Sequence, residues 1–398
     1  MLDAMLPVIL LLILLYVGYT LVYKTDEPKK ERKIHEDTQE VKEKHVEKPK
    51  KHVAKRKNPV ETTAPKKQIQ AEHPLLVHVL KGHTSAITAC AFSPNGRFIA
   101  TASTDRTVRL TLRESLKSKN PTFKTINLPY DYATACSFSS DGKTLGVVTA
   151  DGCKVSLYSK FKTKPECITT FPVEHNVLSL LLNDIGEEWM TTLTIGKDDN
   201  TEIKCWNTSG HLLQTVNVNQ IQNYHGVQSL DNRFIAVAAY TPEVKIFEIQ
   251  RAKDGSFSKL NKAMGLQGHT SGVTDIAFDG SDFKPVNHIV TSSKDGSIRV
   301  WDINVRYKLQ EDPKCIKQFQ APSGYYSTVD ITPDGKWIAM TQGSALYFLK
   351  VATMQICCEI QNAQDDDITR IQFDATGIEI FVQGTTSRII KVYHLPIE

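Results

Sequence analysis

Short apolar runs separated by polar turns fill residues 73–398, and the clearest repeat lies between residues 268 and 302. Four runs in or just after it have the length and β-branched content of short strands: Val273 to Phe278, His288 to Ser292, Ser297 to Trp301 and Cys315 to Gln320. The dipeptide Asp295-Gly296 favours a tight hairpin turn between the second and third runs. The pattern therefore predicts a four-stranded antiparallel unit of about 40 to 45 residues.

The same unit recurs along the chain, in most copies with an Asp-Gly, Asn-Gly or similar turn between two apolar runs. The markers of the seven copies lie at residues 82–111, 138–158, 199–206, 231–247, 268–302, 331–339 and 373–393. The third copy is degenerate and keeps Asp199 and the run Ile203 to Trp206. In the first copy, Thr111 stands where the fifth has Trp301. A period of this length predicts an all-β, seven-bladed propeller with one four-stranded sheet per copy.

The two ends of the repeated region complement each other. The seventh copy reaches its third strand at Ile389 to His394, then meets Pro396, and so lacks a fourth strand of its own. Leu75 to Leu80 is an apolar run that precedes the first copy and belongs to none. Pairing these two strands would close the ring and remove its open edges. We therefore expect residues 73–398 to form one propeller closed by the strand at residues 75–80.

The head and the end of the fifth copy, Gly268-His269 and Trp301-Asp302, resemble the signature of the WD40 family. The resemblance implies a buried polar relay of structural blade residues, which in this copy are His269, Ser293, Asp295, Trp301 and Asp302. The residues that take the same structural role in the first three copies are His83, Ser103, Asp105, Asp151, Asp199 and Trp206. A relay of this kind gives each buried polar group a partner. We expect these residues to be structural rather than catalytic.

The first 23 residues differ from the rest of the chain. Met5 to Tyr23 is an uncharged stretch of 19 residues, with Leu10 and Leu15 among its many apolar residues. As a helix it would be about 28 Å long, close to the hydrocarbon thickness of a bilayer. A cleaved signal peptide is the alternative, but no Lys or Arg precedes the stretch and no small-residue cleavage site follows it. The sequence favours an uncleaved transmembrane signal anchor at residues 5–23, with residues 1–4 as a short lumenal end.

Residues 24–72 have no hydrophobic periodicity, and four prolines interrupt them. We interpret this segment as a flexible basic linker, which as a random coil would span about 40 Å. Residues 24–70 contain 15 Lys or Arg and 9 Asp or Glu, a net charge of +6. Positive flanking charge favours the cytosolic side of a membrane, so we expect the propeller to face the cytosol. Contact with anionic lipid or ribosomal RNA is a second interpretation of the linker, beside that of a solvated spacer.

Candidate chemistry outside the repeat is sparse. The sequence contains no phosphate-binding loop, nucleophile elbow or metal-ligand cluster, so it predicts no enzyme activity, cofactor, metal or small-molecule substrate. We interpret Asp365-Asp366-Asp367 as a solvated turn before the seventh copy, and Cys357-Cys358 as strand residues on opposite faces. The spacing of the eight cysteines indicates neither zinc ligands nor a disulfide framework, and we expect buried free thiols. With the linker set aside, the propeller is close to neutral, which gives it no global field for nucleic acid.

The order of apolar anchor, basic linker and propeller resembles the membrane-anchored, transducin beta-like branch of the WD40 family. The stretches His73 to His83 and Tyr240 to Lys245 carry the same resemblance. It implies a scaffold in the endoplasmic reticulum membrane with a cytosolic propeller, associated with the stress kinase PERK and with translation control in the unfolded protein response.

Two other functions stay open at this point. An RNA- or ribosome-binding adaptor at the same membrane would show RNA crosslinking that weakens steeply with salt. A membrane-bound enzyme or exchange factor would need a polar pocket with convergent titratable groups. The sequence alone assigns no partner-binding residues.

Overall fold

The structure is a computed structural model, and it describes residues 73–118, 120–151, 153–173, 177–185, 188–197, 200–280 and 285–396. Within these ranges no helix is long and apolar enough to cross a membrane. The predicted anchor at residues 5–23, the predicted linker at residues 24–72 and Asp199 lie outside the described residues. The described helical elements are two short 3₁₀ helices, Arg113–Lys117 and Tyr307–Leu309.

Strands make up most of the described chain. The first thirteen are β1 (Leu76–Leu80), β2 (Ile87–Phe92), β3 (Phe98–Ser103), β4 (Thr107–Leu112), β5 (Phe123–Asn127), β6 (Ala133–Phe138), β7 (Leu145–Thr149), β8 (Lys154–Ser159), β9 (Glu166–Pro172), β10 (Val177–Ile185), β11 (Glu188–Lys197), β12 (Asn200–Asn207) and β13 (Leu212–Ile221). The others are β14 (Asn223–Gln228), β15 (Phe234–Ala239), β16 (Val244–Arg251), β17 (Phe257–Leu266), β18 (Val273–Phe278), β19 (His288–Ser293), β20 (Ser297–Asp302), β21 (Lys314–Gln320), β22 (Thr328–Ile331), β23 (Trp337–Gln342), β24 (Ala345–Lys350), β25 (Gln355–Ile360), β26 (Ile368–Phe373), β27 (Glu379–Gly384) and β28 (Ile390–His394).

The described strands form seven four-stranded antiparallel sheets, the blades of a propeller. Blades 1 to 6 each take four consecutive strands, from β2–β5 through β22–β25. Blade 7 consists of β26, β27 and β28 with β1 as its outer strand. The first strand of each blade contacts the first strand of the next, and β26 contacts β2, so the ring is closed.

The closure joins two distant parts of the chain. Strand β1 pairs antiparallel with β28, with Leu80 opposite Ile390 and Leu76 opposite Tyr393. This is the pairing that the sequence predicts for its fourth strand of blade 7. It protects the edge of β28, which would otherwise expose unpaired backbone groups.

The core lies mostly between neighbouring blades. Between blades 4 and 5, Ile246 and Met264 pack with Val273 and Trp301. Between blades 7 and 1, Phe92 packs against Phe381 with ring centroids 5.2 Å apart. Each blade thus buries the face of its neighbour, which explains why the strands are apolar on both sides and why seven sheets act as one unit.

The cysteines are less uniformly buried than the sequence predicts. All eight are free, and Cys90, Cys136 and Cys205 are buried in strands. The prediction of buried thiols is wrong for three that are exposed, namely Cys167, Cys315 and Cys357. These three lie on the outer strands of their blades, where one side of the sheet faces solvent and apolar character does not ensure burial.

Candidate functional site

The fifth blade contains a continuous hydrogen-bonded relay. The indole Nε1 of Trp301 donates to Thr291 Oγ1 at 2.9 Å, and the same Oγ1 lies 2.7 Å from His269 Nε2. His269 Nδ1 lies 3.0 Å from Asp295 Oδ2, and Ser297 Oγ donates to Asp295 Oδ1 at 2.6 Å. Every polar group along this path has a partner, so the relay ties β19 and β20 to the loop that precedes β18.

The direction of the hydrogen bonds in this relay follows from the protonation of His269. Burial lowers the pKa of this imidazole, so the ring is neutral at neutral pH. A neutral ring can donate from Nδ1 to Asp295 and accept at Nε2 from the Thr291 hydroxyl. Hydrogen bonds from Ser297, Thr270 and His269 hold the pKa of Asp295 well below its ordinary value despite its burial. The relay is therefore a structural clamp without a titratable group poised for proton transfer near pH 7.

Blade 1 repeats the relay with one member changed. His83 lies 2.9 Å from both Asp105 Oδ2 and Thr101 Oγ1, and Thr107 Oγ1 donates to Asp105. Hydrogen bonds from Thr107 and His83 lower the pKa of Asp105 to about 2. Strand register places Thr111 opposite Ile99, as Trp301 lies opposite Ile289 in blade 5. The threonine is too short to complete the relay, and a cavity of about 360 Å³ lies beside it.

The two serines predicted to join the relay have a different role. Ser293 Oγ donates to the carbonyl of Ser271 and accepts from the backbone N–H of Asp295. Ser103 makes the corresponding bonds to Ser85 and Asp105. The prediction that Ser293 forms the relay with His269 and Trp301 is wrong, because residue 291 rather than 293 presents its hydroxyl between the two rings. The serines instead fix the adjoining loops.

The remaining predicted blade residues take other positions. Asp151 is exposed, and its backbone N–H donates to Asp131. Trp206 is buried and stacks on Phe171 with centroids 5.6 Å apart, but its Nε1 has no hydrogen-bond partner within the described chain. Asp302 accepts a bond from the N–H of Asn304 after β20. The relay is thus complete in blade 5, nearly complete in blade 1 and not formed by these residues in blades 2 and 3.

The relay loops define one face of the ring. His83 and His269 precede the first strands of their blades, whereas Asp105 and Asp295 lie between second and third strands. In an antiparallel blade these two kinds of loop lie at the same end. We call this end of the ring the His–Asp face. The loop Asp365–Asp367 also belongs to it.

The acidic loop is held by ordinary contacts. Asp366 accepts hydrogen bonds from the backbone and side chain of Thr386, and Lys391 Nζ lies 3.0 Å from Asp365. Within the described chain no group of three or more His, Cys, Asp or Glu residues could hold a metal ion. Of the adjacent cysteines on β25, Cys357 is exposed and Cys358 packs against the core, as expected for opposite faces of a strand.

Three tyrosines on the His–Asp face are strongly exposed. Tyr130 is 91% exposed in the loop before β6, Tyr240 is 56% exposed between β15 and β16, and Tyr325 is 41% exposed before β22. The Lys294 ammonium lies 5.5 Å from the Tyr240 ring centroid, which orients that ring. Tyrosine is enriched at protein interfaces, since it combines a large apolar area with a polar tip. Nothing in the repeat pattern singles these residues out, because they lie in loops of different length.

The wall of the central channel contains charged residues that the sequence interpretation missed. Asp275, Asp330 and Arg370 lie on the first strands of blades 5, 6 and 7, and His225 lies on that of blade 4. Asp275 Oδ2 accepts from the N–H of Val329 in the next blade at 2.9 Å, and Asp330 accepts likewise from Phe373. These carboxylates join neighbouring blades. The available signal was a charged residue inside an otherwise apolar inner strand.

Comparison with known proteins agrees with this architecture. The family model described as WD domain, G-beta repeat matches residues 75–111 and 260–302, which contain the two relays. The chain is therefore a β-propeller with WD40 repeats in these two segments.

Its relatives include transducin beta-like protein 2. The chain is 28% identical to that protein of Mus musculus over 371 residues, 87% of this chain and 81% of the relative. It is 28% identical to that of Homo sapiens over 335 residues, 81% of this chain and 72% of the relative. A more distant relative is WD repeat and FYVE domain-containing protein 1 of Homo sapiens, at 24% identity over 60% of this chain and 54% of that one.

Proposed function

We propose that this protein is a non-enzymatic scaffold of the endoplasmic reticulum membrane, whose cytosolic propeller captures protein partners on its His–Asp face. The partner class is the cytosolic part of the stress kinase PERK, together with translation-related proteins of the unfolded protein response. Similarity to transducin beta-like protein 2 over most of the chain supports the scaffold class. The membrane and the partner are proposals that rest on the sequence resemblance described above.

The exposed tyrosines carry the proposal. Tyr130, Tyr240 and Tyr325 lie on one face, in loops of three different blades, and a folded partner can contact more than one of them. Aromatic anchors dominate the binding energy of many interfaces. The relays fix the His–Asp loops of blades 1 and 5 on this face, and Lys294 of blade 5 orients the Tyr240 ring. This part of the face therefore loses little conformational entropy on binding.

The chain topology is compatible with a tether. Strand β1 ends at Leu80 beside His83, so it ends at the His–Asp face and begins at the opposite one. The first described strand therefore begins at the end of the ring away from the tyrosines. The predicted anchor and basic linker supply the attachment in this proposal.

Binding of the purified cytosolic region of PERK to the full-length protein tests the proposal. The triple variant Tyr130→Ala, Tyr240→Ala, Tyr325→Ala should weaken binding at least tenfold, a cost of about 1.4 kcal/mol. A matched control is Ile168→Ala with Leu309→Ala, which removes two exposed apolar side chains outside the His–Asp face. Equal binding by wild type and the triple variant, with all proteins folded, would contradict the proposed face. Absence of binding by the wild type would contradict the proposed partner.

A further inference from the structure

The central channel contains a polar cavity of about 490 Å³ and an adjoining one of about 170 Å³. Arg370 and His225 line both cavities, and Asp275 and Asp330 line the larger one. Blades 1, 2 and 3 contribute the uncharged residues Thr88, Thr134 and Leu178 to the wall. Asp374, at the rim, is already bound to Arg113. The titratable groups that face the channel are therefore concentrated on blades 4 to 7.

The Arg370 guanidinium makes no hydrogen bond within the residues that the structure describes. Within the described chain no carboxylate, carbonyl or hydroxyl oxygen accepts a hydrogen bond from it, although it influences Asp275, Asp330 and His225 electrostatically. A guanidinium has five N–H donors in a planar fork, which fits an oxyanion with two oxygens. An arginine that lines the central channel and donates to no acceptor of the described chain is suited to a ligand that supplies acceptors.

The two carboxylates do not neutralise this arginine fully. Both oxygens of Asp275 accept backbone N–H groups, from Ile276 and Val329, and those of Asp330 accept from Ile331 and Phe373. Burial raises the pKa of each carboxyl to about 7. Burial therefore favours the neutral form of these carboxyls more than in water, and a proton on either one removes a repulsive charge from the channel. Burial lowers the pKa of His225 to about 3, so that ring stays neutral.

Three glutamines around the same cavities have side-chain oxygens that accept no hydrogen bond from the described residues. The Oε1 atoms of Gln228, Gln372 and Gln383 are buried and have no hydrogen-bond partner within the described residues. Buried acceptors of this kind are ordinarily satisfied by a water or a ligand that donates. A group that fits both these oxygens and Arg370 has oxyanion oxygens and an O–H. A monoprotonated or diprotonated phosphate has both.

We propose that the central channel binds a phosphate group, free or as a monoester, with Arg370 as its principal ligand. This inference concerns a site separate from the tyrosine face and does not depend on the proposed partner. Protonated Asp275 and Asp330 would donate to the phosphate oxygens, so uptake of the anion is coupled to uptake of protons. Inorganic phosphate and a phosphorylated side chain both supply oxyanion oxygens, and each carries an O–H in its monoprotonated form. The phosphate group fits the cavity of about 490 Å³ in either case.

Calorimetric titration of the full-length protein in detergent at constant ionic strength tests the site. The probes are inorganic phosphate, a phosphoserine peptide and its unphosphorylated counterpart, each at pH 6 and pH 8. Arg370→Gln should weaken phosphate binding roughly tenfold or more, because it removes a charge-assisted hydrogen-bonding group. The control Arg251→Gln makes the same change at an exposed residue at the end of β16 and should bind as wild type does.

Sulfate does not change charge between pH 6 and pH 8, whereas phosphate does. Any pH dependence of sulfate binding therefore arises from titration of the protein. Sulfate binding should weaken about tenfold as Asp275 and Asp330 ionise over this range. Unfolding midpoints establish that each variant is folded. If Arg370→Gln does not fold, Arg370→Lys replaces it in the test. This variant keeps the charge but lacks the planar fork, and it should bind phosphate severalfold more weakly than the wild type. Binding of inorganic phosphate alone identifies a free anion, and binding of the phosphopeptide alone identifies a side-chain phosphate. Unchanged binding by Arg370→Gln or Arg370→Lys, or no binding of any phosphate probe by the wild type, would overturn the site.

Discussion

Arg113 and Asp374 form an ion pair across the junction of blades 1 and 7. Arg113 Nη2 lies 3.0 Å from Asp374 Oδ2, and the Asp374 side chain is only 1% exposed. The same Nη2 lies 2.5 Å from Glu379 Oε2, and the guanidinium lies 5.1 Å from the ring centroid of Phe92. This contact joins residues 261 positions apart at the place where the ring closes. Together with the pairing of β1 and β28, it holds the two ends of the propeller.

Replacement of this arginine should destabilise the whole domain. Arg113→Met leaves Asp374 buried without its cationic partner, which should lower the free energy of unfolding by about 3 kcal/mol. Urea denaturation measures the effect. The control is Lys160→Met, which removes an exposed partner of Glu166 and should cost less than about 1 kcal/mol. Equal effects of the two substitutions would show that the buried pair does not stabilise the closure.

Completion of the blade 1 relay should stabilise the protein. Thr111→Trp places an indole beside Thr101 and His83, where the cavity of about 360 Å³ lies. The new N–H can donate to Thr101 Oγ1 as Trp301 donates to Thr291, and the ring buries apolar area. We expect a gain of about 1 kcal/mol in the free energy of unfolding. Thr111→Ser is the control for loss of the threonine methyl. A tryptophan variant less stable than the serine variant would contradict the inference that Thr111 occupies the position of Trp301.

The role of Thr291 can be separated from that of Ser293. Thr291→Val keeps the shape but leaves His269 Nε2 and Trp301 Nε1 without their shared partner, which should cost about 2 to 3 kcal/mol. Ser293→Ala removes two hydrogen bonds at the adjoining loop and should cost about 1 kcal/mol. Thermal unfolding of the two variants measures the difference. A larger loss of stability for Ser293→Ala than for Thr291→Val would show that the serine, not the threonine, is the central residue of the relay.

Asp330 should give the stability a characteristic pH dependence. Its pKa is raised from 3.8 to about 7 on folding, so the folded protein holds a proton that the unfolded chain releases. Between about pH 4 and pH 7 this lowers the free energy of unfolding as pH rises, and above pH 7 the contribution is constant. Asp330→Asn should therefore lose this decline, on the order of 1 kcal/mol after solvent screening.

The comparison of variant with wild type isolates the contribution of Asp330 together with its electrostatic coupling to Asp275. His83 and His269 have lowered pKa values and act in the opposite sense, because they favour unfolding as pH falls below about 6.5. Both contributions are common to the two proteins and cancel in the difference. Parallel pH profiles of wild type and Asp330→Asn would contradict the raised pKa.

Much of the fold could be predicted because blade geometry is local. In blade 5 the predicted strands Val273 to Phe278 and His288 to Ser292 match β18 and β19 to within one residue. The strand at Leu75 to Leu80 pairs as predicted, since an apolar strand without a blade can bury itself only at the open edge. These features follow from period, turn residues and edge protection.

The sites were harder to predict because they depend on spatial register. Thr291 lies in an apolar run and looks like an ordinary strand threonine until β20 places Trp301 beside it. Asp330 and Arg370 lie about 40 residues apart and meet only because first strands line a common channel. The tyrosines of the His–Asp face belong to loops, where no repeat fixes the residue type.

Protease protection on intact microsomes is the most direct test of the proposed cytosolic scaffold. Asn207-Thr208-Ser209 is a glycosylation sequon in the turn after β12, and it provides an internal reporter of lumenal exposure. We predict that added protease digests the propeller and that a glycosidase causes no shift at Asn207. A protected propeller with a glycosylated Asn207 would contradict the cytosolic orientation and the proposed capture of a cytosolic kinase.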